Sequence, residues 1–113
     1  MIFNSSLPDE EIDLGKFYFG FISQDKLKHG YGLYISTKKK MTIEGTFRNG
    51  EPHGYVHIKW TEMGAKFLKY QGTMVNGKKE GSGTLDMQKK SKYIGEFKND
   101  IFHGFGTLIG RDY

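Results

Sequence analysis

Residues 93–106 read Tyr93-Ile94-Gly95-Glu96-Phe97-Lys98-Asn99-Asp100-Ile101-Phe102-His103-Gly104-Phe105-Gly106. Tyr93, Gly95 and Phe97 alternate with Ile94, Glu96 and Lys98, the period-two pattern of a β-strand. Lys98-Asn99-Asp100 supplies a turn, and Gly104, Gly106 and Leu108 then alternate with Phe105 and Thr107. The stretch predicts one β-hairpin. Outward from it, the same phrase occurs in three earlier copies. Tyr18-Phe19-Gly20 leads to His29-Gly30-Tyr31-Gly32, Ile43-Glu44-Gly45 to His53-Gly54-Tyr55-Val56, and Tyr70-Gln71-Gly72 to Glu80-Gly81-Ser82-Gly83. The leading glycines lie 25, 27 and 23 residues apart. A period of this length marks a repeat array, in which each unit buries its apolar side against its neighbours. Such an array is a surface for binding rather than an enzyme pocket.

The turns and glycines carry the local argument. Asn49-Gly50 and Asn76-Gly77 suit hairpin positions that need positive φ. The first copy has Gln24-Asp25-Lys26-Leu27 and one extra residue, which predicts a looser turn. Gly20, Gly30 and Gly32, with their counterparts Gly45, Gly54, Gly72, Gly81, Gly83, Gly95, Gly104 and Gly106, are expected to share a face with the leading Tyr18, Tyr70 and Tyr93. A residue without a Cβ leaves a trough in which a cross-strand ring can lie, which offsets the poor strand propensity of glycine. Copy two departs twice, with Ile43 for the tyrosine and Val56 for a glycine, so a smaller leading side chain meets a larger partner.

The pattern Tyr-x-Gly-x-Phe, Asn-Gly, then His/Glu-Gly-x-Gly resembles the MORN repeat (membrane occupation and recognition nexus). The resemblance covers residues 17 to 110. It implies an all-β fold: an elongated, twisted antiparallel sheet of four stacked hairpins in a single layer, with no catalytic residues of its own. It also implies a scaffold of the kind found in cytoskeletal, ciliary and membrane-junction assemblies. The organisation expected is an acidic leader over residues 1–14 and a repeat domain over 15–113, with copies at about 17–37, 42–60, 69–87 and 92–110.

Composition agrees with one small domain. The 113 residues include nine Phe, seven Tyr and 16 Gly, and the 36% apolar share sits below the usual globular value. No Cys is present, so disulfides and thiolate metal sites are excluded. No apolar run approaches the roughly 20 residues of a membrane span, and the start is too soon polar for a secretory signal. These features predict a cytoplasmic protein.

Enzyme readings find no support in the residues. The Gly-x-Gly pieces are followed by neither a helix nor a Gly-Lys-Ser/Thr ending, so they form no phosphate loop. The serines lie near no base. His29, His53 and His103 occupy one place in three copies, and equivalent places in adjacent hairpins are about 10 Å apart. Ligands of one metal ion sit within about 2 Å of it, so the three share none. The chain is expected to be no enzyme and to carry no cofactor.

Charge and apolar exposure point to partners. Asp9, Glu10, Glu11 and Asp13 make the leader acidic, at −4, and the rest of the chain carries +8, for the net +4. Lys38, Lys39, Lys40, Lys66, Lys69, Lys89, Lys90 and Lys92 concentrate in the connections between copies, which are expected to emerge along one long edge. Such an edge suits an acidic partner or an anionic bilayer, at roughly 1 kcal/mol per lysine near a charged membrane. Nucleic acid is disfavoured, since only two Arg are present. On the second face, copy one shows Phe17, Phe19, Phe21, Tyr31, Leu33 and Ile35, and copy four Ile94, Phe105 and Ile109. Copies two and three are mixed or polar there. A single layer cannot bury both faces. Phe3, Leu7 and Ile12 of the leader are too few to cover copy one, so the apolar residues are expected to dock other protein subunits. Gly110-Arg111-Asp112-Tyr113 resembles the lead-in to a further copy, and the last hairpin is expected to present an open edge for strand addition or head-to-tail stacking.

Overall fold

The computed structural model describes residues 15–110. The acidic leader expected to cap copy one, and Arg111-Asp112-Tyr113, lie outside the described residues. Eight strands follow one another: β1 (Lys16–Ile22), β2 (Lys28–Ser36), β3 (Met41–Arg48), β4 (Glu51–Trp60), β5 (Phe67–Val75), β6 (Lys78–Met87), β7 (Lys92–Lys98) and β8 (Ile101–Ile109). Each pairs antiparallel with the next, in one open sheet whose spatial order is the chain order. The only helical piece among the described residues is a 3-10 turn, Gln88–Lys90. The array measures 52 × 30 × 19 Å.

Turn chemistry closes each hairpin. Asn49 and Gly50 have φ of 50° and 87°, Asn76 and Gly77 48° and 81°, and Asn99 and Asp100 50° and 69°. Two successive positive values are the type I′ geometry whose twist matches the flanking strands. The first hairpin uses the looser turn expected, closed by Ser23 N–H donating to Leu27 O at 2.9 Å and Lys26 N–H to Ser23 O at 2.9 Å. Neighbouring hairpins are stitched at these turns. Gly50 N–H donates to Lys28 O at 2.9 Å, Gly77 N–H to Pro52 O at 2.9 Å and Asp100 N–H to Lys79 O at 3.0 Å.

The glycines divide into two classes, which corrects the single role expected of them. Gly20, Gly32, Gly45, Val56, Gly72, Gly83, Gly95 and Gly106 pair in sequence, one unbroken row across all eight strands. In hairpin three, the Tyr70 ring stands where a Cβ on Gly83 or Gly72 would be, 2.6 Å away in both cases. Tyr18 and Tyr93 cover Gly32 and Gly106 in the same way. Each tyrosine then donates its hydroxyl to the backbone three residues on: Tyr18 to Phe21 O at 2.7 Å, Tyr70 to Thr73 O at 2.8 Å and Tyr93 to Glu96 O at 2.9 Å.

Gly30, Gly54, Gly81 and Gly104 do something else. Between the pairs Gly45–Val56 and Phe47–Pro52, the single residue Thr46 faces His53, Gly54 and Tyr55. The first and third hairpins repeat it, and the fourth has the same two-residue excess with Glu96 paired to His103 and Gly104-Phe105 inserted. The bulge needs one residue at positive φ, and Gly54 supplies it at 103°.

Alternation fixes the two faces. The inner face carries the glycine row, the row Tyr18, Tyr34, Ile43, Ile58, Tyr70, Leu85, Tyr93 and Leu108, and beyond the glycines Phe47, Met74 and Phe97. Its middle is the core, where Val56 and Tyr70 are 0% exposed and Leu85 2%. One layer achieves this because the rings fill the glycine trough and pack against one another across it. Phe47 meets Tyr18 edge-on at 5.5 Å, and Phe97 meets Tyr70 at 5.4 Å, so rings also join one hairpin to the next.

Candidate interaction surfaces

The outer face alternates with the core and is built by the same register. One of its rows reads Phe17, Ile35, Thr42, Lys59, Lys69, Asp86, Lys92 and Ile109. The next reads Phe19, Leu33, Glu44, His57, Gln71, Thr84, Ile94 and Thr107. Both rows open on two apolar residues and are polar through the middle; the first ends on Ile109, and the second has Ile94 before its last residue, Thr107. Phe17, Phe19, Phe21, Tyr31, Leu33 and Ile35 thus form one patch on β1 and β2, with Phe19 61% and Phe21 69% exposed. Ile94, Phe105 and Ile109 lie on the same face at the far end, Phe105 at 87% exposure. Strands β3 to β6 separate the two groups.

The polar stretch between them is a hydrogen-bonded strip. The Tyr31 hydroxyl donates to Glu44 Oε2 at 2.6 Å, and this bond to a carboxylate raises the phenol above its ordinary pKa. The side chains of His57 and Gln71 are hydrogen-bonded to each other, with the Tyr55 ring 6.3 Å from the imidazole. His53 has a structural part. Its Nδ1 accepts from Asn76 N–H at 3.3 Å, a bond to the turn of the next hairpin rather than to its own strand start. Among the described residues, no three His, Asp or Glu side chains converge to hold a metal ion.

The predicted lysines fall along the edge of inter-hairpin connections but do not act as one row. Lys38 and Lys40 sit exposed on the β2–β3 turn, and Lys89 and Lys90 on the 3-10 turn. Lys69 and Lys92 flank Asp86 on the outer face, at 3.9 and 3.7 Å. Lys66 lies over the Phe67 ring at 5.5 Å, and Lys39 borders the inner face.

Sequence reasoning missed a groove of about 580 Å³ on the inner face. Tyr34, Trp60 and Phe67 form its aromatic wall, and Lys28 and Lys79 cross it. Lys28 Nζ is 5.0 Å from the Tyr34 ring centre, and Lys79 Nζ is 5.8, 5.5 and 5.5 Å from those of Trp60, Phe67 and Tyr70. Lys79 also approaches Asp100 Oδ1 at 3.7 Å. Burial of Tyr70 beneath this groove pushes its phenol up to about 12, and burial also raises Tyr18. The missed signal was parity: Lys28 and Lys79 lie four residues before Gly32 and Gly83, hence on the glycine face.

Among the described residues, no helix is long and apolar enough to cross a membrane. Comparison with curated proteins finds none that matches this chain. Comparison with protein families matches the MORN repeat in four segments, residues 24–40, 44–55, 70–90 and 93–113. These segments make up more than half of the chain; the first covers β2 with the turns on either side of it, and the other three fall on the second, third and fourth hairpins. The MORN repeat is a non-enzymatic repeat often involved in protein or membrane interactions. By its residues, its hairpin array and this match, the chain belongs to the MORN repeat family.

Proposed function

We propose that the chain is a noncatalytic scaffold or adaptor subunit that binds other proteins within a larger cytoplasmic or cytoskeletal assembly, cilia included. The observation that carries this reading is the pair Phe19 and Phe21, two phenyl rings more than half exposed on a face that no described residue covers. Contiguous exposed aromatics of this kind mark interaction sites, since a monomer gains nothing by leaving them in water.

The test is a Phe19→Glu/Phe21→Glu variant expressed in the native source and compared with the wild type by crosslinking and affinity capture. Both side chains are exposed, so the fold persists, as far-ultraviolet circular dichroism would verify. A defined set of subunits is expected to disappear from the variant. An unchanged set would remove the reading.

A second reading rests on the exposed Lys38, Lys40, Lys89 and Lys90 along one edge, which suit an acidic lipid surface. Asp86 neutralises part of this edge by holding Lys69 and Lys92. Co-sedimentation with anionic vesicles at low salt tests it, and no binding there ends it.

A further inference from the structure

The inner groove sets cations against an aromatic wall and leaves two of them without a carboxylate. Tyr34, Trp60 and Phe67, each half-buried, form the wall, and the buried Ile43, Ile58 and Met74 also line the groove. Three lysines, Lys28, Lys39 and Lys79, stand there against two carboxylates, Glu51 and Asp100, an excess of one positive charge. Asp100 is already engaged, by the Lys79 ammonium at 3.7 Å and the Lys79 N–H at 2.8 Å. The Glu51 carboxylate lies against Gly77, in the turn between β5 and β6. Lys28 and Lys39 have no ion-pair partner among the described residues. Rings hold Lys28 instead, its ammonium 6.0 Å from the Tyr18 centre and 5.0 Å from that of Tyr34. A ring face meets one side of an ammonium and leaves its other N–H donors for an acceptor.

We propose that this groove binds a linear acidic segment of a partner protein, one that carries an aromatic or branched aliphatic side chain with Asp or Glu beside it. This rests on the reading of the chain as a protein-binding subunit and names the chemistry of one partner, on a face opposite the Phe19 and Phe21 patch. The apolar side chain lies against Trp60 and Phe67, and the carboxylates beside it meet Lys28 and Lys39. Lys28 is the residue that moves, because only rings hold its charge, whereas Asp100 retains Lys79. A charge-assisted bond to a carboxylate is the stronger of the two contacts open to the Lys28 ammonium.

Shape favours a linear segment. On β4 the lining runs from Glu51 to Trp60, up to about 30 Å along an extended strand. Several residues of chain span that length, and a compact metabolite does not. The volume of about 580 Å³ accepts a few side chains, as ligand clefts of about 300–1,000 Å³ do, and not the face of a folded domain. Charge selects the sign of the segment. A basic one would meet Lys28 and Lys39, with Glu51 the single carboxylate that Lys79 does not already hold.

The experiment selects random dodecapeptides displayed on phage against the immobilised full chain. Synthetic copies of the enriched peptides are then titrated in solution by fluorescence anisotropy and by Trp60 emission. Enriched sequences are expected to share an aromatic or branched aliphatic residue flanked by Asp or Glu, to shift Trp60 emission, and to bind more weakly as salt rises. Two variants localise them. Lys28→Met keeps the stem over the rings, and Lys39→Glu changes an exposed side chain, so circular dichroism should find both folded. Each is expected to weaken binding at least tenfold, and Phe19→Glu/Phe21→Glu to leave it unchanged. No enrichment, enrichment without acidic residues, or binding that survives both lysine variants would overturn the proposal. Self-association of the chain, or binding to anionic vesicles, that replaces peptide binding and is lost in the same two variants would overturn it as well, giving the groove to a second copy or to lipid headgroups. The Phe19→Glu/Phe21→Glu capture from the native source reads the outer face alone, so the two readings fail separately.

Discussion

The ring of Tyr70 occupies the space above Gly83 on the neighbouring strand, so that a Cβ added there would stand 2.6 Å from both the ring Cε1 and the phenol oxygen. The backbone of Gly83 is not in the positive-φ region. The site is therefore closed to alanine by the ring alone, and the ring is held by its hydroxyl on Thr73 O. Gly83→Ala is expected to cost about 1–3 kcal/mol, the usual penalty for overpacking a filled site. Urea denaturation followed by Trp60 fluorescence measures it. A midpoint equal to that of the wild type would show that the ring moves aside freely.

Hairpin two tests the same contact in reverse. Ile43 stands in the tyrosine's place and Val56 in the glycine's, with Val56 wholly buried. Ile43→Tyr alone drives a ring into the valine, and Val56→Gly alone leaves a void beneath isoleucine. Each is expected to destabilise by about 2 kcal/mol. The double variant rebuilds the arrangement of the other three hairpins, so the cycle should show a favourable coupling of about 1–3 kcal/mol. Additive effects would mean that the two departures in this copy are unrelated.

How far the sequence could be read follows from which contacts are local. The alternation around Tyr18 and Gly20, the Asn-Gly turns and the outer-face positions all rest on strand parity, which one strand carries by itself. The row Lys69, Asp86 and Lys92 was also legible in principle, since each lies three residues from a glycine of the row. Assigning those lysines to the edge overlooked this register. Gly30 was misread because Gly30-x-Gly32 looks like ordinary alternation, and a bulge with two extra residues preserves parity while changing φ. The inner groove is the feature least visible in the sequence. Its residues follow from parity, but its lining is drawn from β2 through β6 and the turns beside them, which no single hairpin encodes.

The burial of Tyr70 has a consequence at alkaline pH. Its phenol is raised from 10.0 to about 12 in the folded chain. Between these values the folded state keeps a proton that the unfolded state has released, so stability is complete below pH 10 and declines as pH rises toward 12. The slope from this one group approaches 1.4 kcal/mol per pH unit. Tyr70→Phe should flatten the decline, at the cost of about 1 kcal/mol at neutral pH for the lost bond to Thr73 O. Unfolding free energies at a series of alkaline pH values decide this; parallel curves for wild type and variant would refute it.

The Lys79–Asp100 pair ties the fourth hairpin to the third across the edge of the groove. One carboxylate oxygen of Asp100 serves both the Lys79 ammonium, at 3.7 Å, and the Lys79 backbone N–H, at 2.8 Å. The lysine side chain is only 11% exposed and lies among three aromatic rings. A charge so shielded depends on its partner, whereas its stem packs as a hydrophobe. Asp100→Asn keeps a residue that tolerates the observed φ of 69° and keeps the acceptor for the backbone, but removes the compensating charge. It is expected to destabilise by about 1–2 kcal/mol. Lys79→Met keeps the volume and removes the charge that needs a partner, so it should cost less than about 1 kcal/mol. In the Lys79→Met background, Asp100→Asn should then cost almost nothing. Added salt should leave the wild-type pair largely unaffected, because the ammonium is screened by rings rather than by water. Trp60, the single tryptophan of the chain, sits 5.8 Å from the ammonium and reports each change directly. Its emission should shift to the blue when Lys79 becomes methionine, and an unshifted spectrum together with an equal loss for both single variants would place the lysine outside the groove.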